Sequence, residues 1–233
     1  MAAPHSPAPV KLLALDTSTE SCSAALWLDG ELAADAIHAG QRHSVLVLPM
    51  IDRLLRGAGI GLTALDAIAF GEGPGSFTGL RIACAVAQGL AFGAGLPVVG
   101  VGTLLALAQA SAADEAVCCL DARMRQVYQA AYRRSADGWA VVHAPGVHAP
   151  DAVPLLPEGS WVGCGNGFAR YGDALRARLG EKLHALAPVE LPHAREIAIL
   201  AAAELERGGG KPAAAALPLY VRDKVALTIE EQP

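Results

Sequence analysis

The 233-residue chain has no run of lysine or arginine, and its 18 basic and 23 acidic residues leave a formal net charge of -5, with both signs spread along its length. Nucleic-acid binding draws most of its free energy from cations meeting phosphates. The composition therefore argues against strong autonomous binding of RNA or DNA, and any RNA role needs a more basic partner. No Cys-x-x-Cys pair occurs among the five cysteines, Cys22, Cys84, Cys118, Cys119 and Cys164, which are odd in number and sit in apolar runs. That pattern argues against a disulfide framework or a zinc site and reads as buried free thiols in a reducing cytoplasm. The opening Met-Ala-Ala-Pro-His-Ser-Pro-Ala-Pro has neither a basic region nor an apolar core of signal-peptide length, so residues 1–9 are expected to be a disordered tail, with no export. Charge is missing altogether between Arg81 and Asp114, an interval long enough for a membrane span. Gly93, Gly95, Pro97, Gly100 and Gly102 divide it into helix, short strand and helix, the pattern of a buried layer.

One further absence is local. Ala67-Ile-Ala-Phe70 reads as a strand, and Gly73-Pro-Gly-Ser-Phe-Thr-Gly-Leu-Arg81 leads from it into a helix reaching Phe92. Backbone N–H groups at such a junction can hold an anion, because the first helical turn leaves donors unpaired at the positive end of the dipole. A phosphate-gripping loop normally adds a lysine after its glycines, and none follows here. Two readings stand side by side. Either the loop is a nucleotide site stripped of its lysine, or Gly73 and Gly75 supply the dihedrals of a tight turn that Ser76 or Thr78 caps.

What is present is a repeated unit. Lys11–Leu15 is an apolar strand ending in Asp16, Cys22–Leu28 a second strand, Asp29-Gly30 a hairpin turn, and Glu31–His38 a third strand. Ala116–Leu120 again ends in an aspartate, Asp121, followed by strand Val127–Tyr132, turn Asp137-Gly138 and strand Trp139–Val142. A helix over Ser44–Arg56, kinked or restarted at Pro49, separates the first meander from the glycine loop. Ser160–Cys164 and helices near Asn166–Leu179 and His193–Arg207 complete the second unit, and Leu217–Ala226 is extended and packs back on the body. The repeat predicts an α/β chain of two related halves, 10–112 and 113–233.

A duplicated three-stranded meander with an acidic residue ending its first strand resembles the actin, sugar-kinase and Hsp70 superfamily. That resemblance implies two tandem ribonuclease-H-like halves, each a mixed sheet with flanking helices. Leu13-Ala-Leu-Asp-Thr-Ser-Thr-Glu-Ser-Cys-Ser-Ala-Ala-Leu26, His43-Ser44 with Leu48-Pro49, the glycine loop, Pro97-Val-Val-Gly-Val101 and Pro218-Leu-Tyr-Val-Arg222 are similar to the TsaB family of threonylcarbamoyladenosine biosynthesis proteins. The resemblance is dense over residues 11–110 and thin over 140–215. It implies a non-catalytic scaffold that dimerises with a TsaD-type catalytic subunit, with a TsaE-type ATPase joining. It also implies that tRNA is met only through the complex, that the chain can self-associate as a homodimer, and that no membrane is involved. The alternative reading is a stand-alone ATP-dependent enzyme using Asp16 and Asp121.

TsaD-like proteins carry a pair of metal-ligating histidines, and Thr103 and Leu107 stand where that pair would fall. Neither side chain can replace an imidazole, so no metal site is expected. No cofactor is required. Weak or vestigial ATP or ADP binding is the one cofactor expectation, at Asp16, Thr17, Ser18, Gly73, Gly75 and Ser76 with Asp121 across the cleft. The helix around Met50 is apolar over more of its circumference than one core face needs, and Gly79, Ala83, Ala87 and Ala91 form a small-residue stripe on the next helix. The expected partner interface is a helix pair with His43, Leu46, Val47, Met50, Arg53 and Leu54 on the first helix and Gly79, Ala83 and Ala87 on the second.

Overall fold

The computed structural model describes residues 10–222. The first meander is built from β1 (Lys11–Asp16), β2 (Ser21–Leu28) and β3 (Glu31–His38), and its Asp29-Gly30 turn has φ of 56° and 98°, the left-handed pair that a two-residue hairpin of native twist requires. Helix α1 (His43–Ala58) leads to β4 (Ala67–Gly73), α2 (Phe77–Ala94), β5 (Val98–Gly102) and α3 (Thr103–Ala110). The sheet order is β3-β2-β1-β4-β5, antiparallel among the first three strands and parallel from β1 through β4 to β5.

The second unit repeats that order. Strands β6 (Glu115–Asp121), β7 (Val127–Ser135) and β8 (Gly138–His148) form its meander, and β9 (Trp161–Cys164), α4 (Asn166–Leu179), β10 (Leu183–Leu186) and α5 (Ala194–Glu206) follow. The sheet runs β10-β9-β6-β7-β8 with the same directions. The chain is thus α/β, with two mixed ribonuclease-H-like sheets and flanking helices, as the resemblance implied.

Alternation along β1 explains why its sheet is buried on both faces. Leu13 and Leu15 join Val47, Met50, Ile51 and Leu55 of α1 and Ala83, Ala87 and Ala91 of α2 in one core. Leu12 and Ala14 face Ala194, Ile197, Ala198 and Ala201 of α5 on the other. Helix α5 therefore covers the first sheet although it belongs to the second unit. Helix α3 places Leu104, Leu107 and Ala108 against Cys118, Leu120 and Ala130 of the second. Among the described residues α2 is the one helix long and apolar enough to cross a membrane, and Leu80, Ala83, Cys84, Ala87 and Ala91 turn one side of it into the protein's own core.

Three sequence expectations change. Helix α1 is continuous through Pro49. The ring removes the hydrogen bond to the carbonyl of Val45, and both residues are exposed, so water can take that acceptor. The second hairpin turns at Ala136-Asp137, one residue before the expected Asp137-Gly138, so Gly138 pairs with Ser135 and opens a strand that continues past Val142 to His148. The four-residue strand β10 is too short to stand out in the sequence. The expected extended segment Leu217–Ala226 is described to Arg222, where it packs back on the body; its last four residues and the tail expected at 1–9 lie outside the described residues.

Candidate functional site

A cleft of about 1140 Å³ opens between the two halves. Its first wall holds Ser18, His43, Gly75, Ser76 and Phe77, and its second holds Asp121, Arg123, Met124, Asn166 and Arg170. Of the residues expected at a nucleotide loop, Ser18, Gly75, Ser76 and Asp121 line this space. Asp16, Thr17 and Gly73 are buried behind its wall.

The glycine loop is packed against the β1–β2 turn of its own chain. The N–H of Ser76 donates to the carbonyl of Ser18 at 2.7 Å, and the Thr17 hydroxyl donates to the carbonyl of Gly79 at 2.7 Å. Ser76 Oγ accepts from the Gly79 N–H, so Ser76 caps α2 as one of the two readings required. A Cβ at Gly75 would stand 2.5 Å from the Ser18 carbonyl oxygen, and one at Gly73 (φ 128°) would stand 2.6 Å from that of Leu219. These glycines are needed for close backbone approach within the chain, which favours the tight-turn reading of the loop.

The two strand-end aspartates are both committed. Asp16 is fully buried, and its Oδ2 accepts from the Ser18 hydroxyl at 2.9 Å while Oδ1 has no partner among the described residues. Burial pushes its pKa up to about 7, against the smaller opposing effect of the Ser18 and Thr17 hydrogen bonds. Asp121 Oδ2 lies 3.1 Å from Arg170 Nη1 and 3.3 Å from Arg123 Nη1, and its Oδ1 accepts from Tyr171 at 3.2 Å and from the Arg123 N–H at 3.0 Å. A hydrated magnesium ion needs free carboxylate oxygens. One aspartate here is buried beneath Ser18 and the other is held between two guanidinium groups, so this pair does not fit the ion. The Arg170 partnership with Asp121 is not legible in the sequence, because residues so far apart in the chain carry no local signal.

Thr103 and Leu107, where the resemblance puts the histidine pair of TsaD-like proteins, have their own tasks. Thr103 donates its hydroxyl to the carbonyl of Pro74, anchoring the glycine loop to α3, and Leu107 is buried against the second sheet.

The expected partner interface requires correction. Val47, Met50, Ala83 and Ala87 are between 0% and 1% exposed in the core under the first sheet, so they are not surface residues of this fold. The carbonyl of Thr17 fills the space a side chain at Gly79 would occupy, so the small-residue stripe admits the chain's own β1–β2 turn and sheet. His43 is 7% exposed with Nε2 2.8 Å from the carbonyl of Thr19, to which the ring donates. Leu46 and Leu54 are half-buried, and Arg53 pairs with Asp35 of β3 at 2.8 Å. The outward apolar residues of α1 are instead Val45, 64% exposed, and Leu48, 48% exposed, with half-buried Ile82, Val86 and Leu90 on α2.

Comparison with known proteins gives concordant results. The family model for TsaD, tRNA N6-adenosine threonylcarbamoyltransferase, matches residues 37–228. The tRNA threonylcarbamoyladenosine biosynthesis protein TsaB of Escherichia coli is 37% identical over 230 residues, covering 93% of this chain and 96% of that protein. The TsaB of Haemophilus influenzae is 39% identical over 227 residues, covering 92% and 94%. The solved structure of YeaZ from Pseudomonas aeruginosa superposes with a TM-score of 0.84 at 39% identity, covering 91% of this chain and 99% of that one. Matches of this identity over nearly the full length of both partners establish that the chain belongs to the TsaB family of tRNA threonylcarbamoyladenosine biosynthesis proteins.

Proposed function

We propose that the chain is a non-catalytic scaffold subunit of the complex that transfers a threonylcarbamoyl group to the adenosine beside the anticodon of tRNA. It acts by dimerising with a TsaD-type catalytic subunit in the cytoplasm, with a TsaE-type ATPase joining the assembly and tRNA met only through it. The observation that carries this reading is the state of Asp121, whose carboxylate is clamped by Arg123 and Arg170 where a nucleotide-hydrolysing relative would need it free for a metal ion. The burial of Asp16 and the replacement of the histidine pair by Thr103 and Leu107 support it.

The docking surface proposed is the outer side of the α1–α2 pair, centred on Val45 and Leu48. Exposed Val45 and Leu48 on α1, flanked by half-buried Leu46 of the same helix and Ile82 of α2, supply the apolar centre that a protein interface needs. The same face serves self-association when the partner is absent. Residual weak binding of ADP or ATP to the cleft, without a magnesium site of this chain's own, completes the reading; Ser18, Ser76 and Asn166 offer polar groups there.

The test is direct mixing with a purified TsaD-type subunit, read by light scattering coupled to gel filtration. An equimolar complex that Leu48→Asp prevents supports the proposal. Failure of the parent chain to bind, or binding that Leu48→Asp and Val45→Asp leave unchanged, overturns the docking surface.

A further inference from the structure

The terminal motif Pro218-Leu-Tyr-Val-Arg222 has no part in the function above, yet its residues make contacts of a particular kind. The segment first attaches to the first half. The Leu219 N–H donates to the carbonyl of Glu72 at the end of β4 at 2.7 Å, and Arg81 Nε donates to the Tyr220 hydroxyl at 2.9 Å. The Phe77 and Tyr220 rings lie 5.5 Å apart, with the Arg81 guanidinium 3.7 Å from the Phe77 centroid. Two residues later Arg222 reaches the second half, donating to the carbonyl of Ala122 at 3.0 Å and to Gln126 Oε1 at 2.7 Å. The guanidinium stands 5.9 Å from the centre of the Tyr128 ring.

The element that Arg222 grips is unusual. Between β6 and β7 the residues Arg123, Met124 and Arg125 have φ of 61°, 51° and 58°, three consecutive side-chain-bearing residues in the left-handed region. L-residues enter that region singly and at a cost, so surrounding contacts must hold a run of three. The contacts that hold it are the Gln126 N–H to Arg123 carbonyl bond, the Ala122 N–H to Gln126 carbonyl bond, the bonds of Arg123 to Asp121 within the same half, and the bonds from Arg222, which also reaches Met124 Sδ at 3.5 Å. Ala122, Arg123 and Met124 form part of the second wall of the cleft, and Leu219, Tyr220, Val221 and Arg222 also line it. Helices α3 and α5 tie the halves together elsewhere, and among the described residues neither contributes to the cleft lining.

We infer that Leu219–Arg222 is a latch that sets the opening of the cleft, with Tyr220 fixed to α2 and Arg222 holding the left-handed turn of the opposite half. The charge-assisted bonds of Arg222 are the part of the latch that crosses the cleft. Their release leaves α3, α5 and the stretch after α5, which stays bonded to the first half through Lys211, Ala213 and Ala216, as the described ties, all away from the second wall, which lets the cleft widen as a hinge does and frees the turn to relax. Arg222 is thus a positioning residue whose effect is on the geometry of the whole cleft, whatever the cleft receives.

The test uses the full chain with Gln41→Cys and Ala169→Cys, two exposed positions on opposite walls of the cleft, carrying nitroxide labels for a pulsed-dipolar distance measurement. Arg222→Gln is expected to move the distance distribution to longer values and broaden it. Amide hydrogen exchange over Ala122–Gln126 is expected to rise about tenfold or more, while the core strand β1 keeps its protection. Gln126→Ala, which removes one acceptor from the opposite half and leaves Arg222 in place, should shift the distribution in the same direction. A cooperatively folded Arg222→Gln chain with the parent's distribution overturns the latch. Should Arg222→Gln not fold, Gln126→Ala decides alone: a longer distribution supports the latch and an unchanged one overturns it.

Discussion

The carbonyl oxygen of Thr17 occupies the space that a side chain at Gly79 would need, and the Thr17 hydroxyl donates to the Gly79 carbonyl at 2.7 Å. The first turn of α2 and the β1–β2 turn are therefore fitted to each other backbone to backbone, and the glycine loop between them is a structural joint. Gly79→Ala should destabilise the fold by about 2–4 kcal/mol, because backbone and not a flexible side chain must give way. Gly89→Ala, in the same helix with open space around it, should be neutral or stabilise by about 0.5–1 kcal/mol. Urea unfolding of both variants checks the pair, and equal effects would contradict this account of the joint.

The burial of Asp16 predicts a pH dependence with a definite sign. Its folded pKa is raised to about 7 from an ordinary value of 3.8, so between those values the folded state binds more protons than the unfolded one. The contribution of this group to stability is present in full below pH 3.8 and is lost as pH rises toward 7. Asp16→Asn, which keeps the shape of the protonated acid, should remove that slope. The variant should gain on the parent by up to a few kcal/mol between pH 4 and pH 8, on the order of 1.4 kcal/mol for each tenfold difference in proton affinity between the folded and unfolded carboxyl. Glu72 and Glu196 are raised in the same direction by burial, so the comparison must be made against the parent at each pH. Urea midpoints of the two chains that run parallel across this range would contradict the prediction.

On the α1–α2 surface, Leu48→Asp should leave the unfolding midpoint within about 0.5 kcal/mol of the parent and abolish binding of the TsaD-type subunit. Met50→Asp should unfold the chain or cost about 4 kcal/mol or more, because it places a charge in a core position 1% exposed. Thermal unfolding and gel filtration with the partner separate the two. A stable Met50→Asp chain would contradict the assignment of this helix face.

The contrast between Leu48 and Met50 also marks what the sequence made legible. The strand ends at Asp16 and Asp121, the Asp29-Gly30 turn, the helix after the glycine loop and the repeat of the meander are all readable, because each has a local signature of period or turn chemistry. Which side of α1 faces the sheet was not, since apolar residues surround most of the helix and an alanine stripe suits a sheet as well as another helix. Local sequence also carries no trace of contacts made far along the chain. The placement of α5 on the first sheet, the Arg170 bond to Asp121 and the reach of Arg222 to Gln126 each join residues that only the fold brings together.

The claim that the chain is a scaffold whose own carboxylates do no chemistry is tested most directly by threonylcarbamoyl transfer to tRNA. The purified TsaD-type and TsaE-type partners are supplied with threonylcarbamoyl-adenylate and assayed alone, with this chain, and with its Asp121→Asn variant. The account predicts that modification requires the chain, that the chain alone gives none, and that the variant supports a rate within about twofold of the parent. Partners that modify tRNA equally well without the chain would contradict the account. So would an Asp121→Asn chain that still binds the partner yet abolishes the reaction.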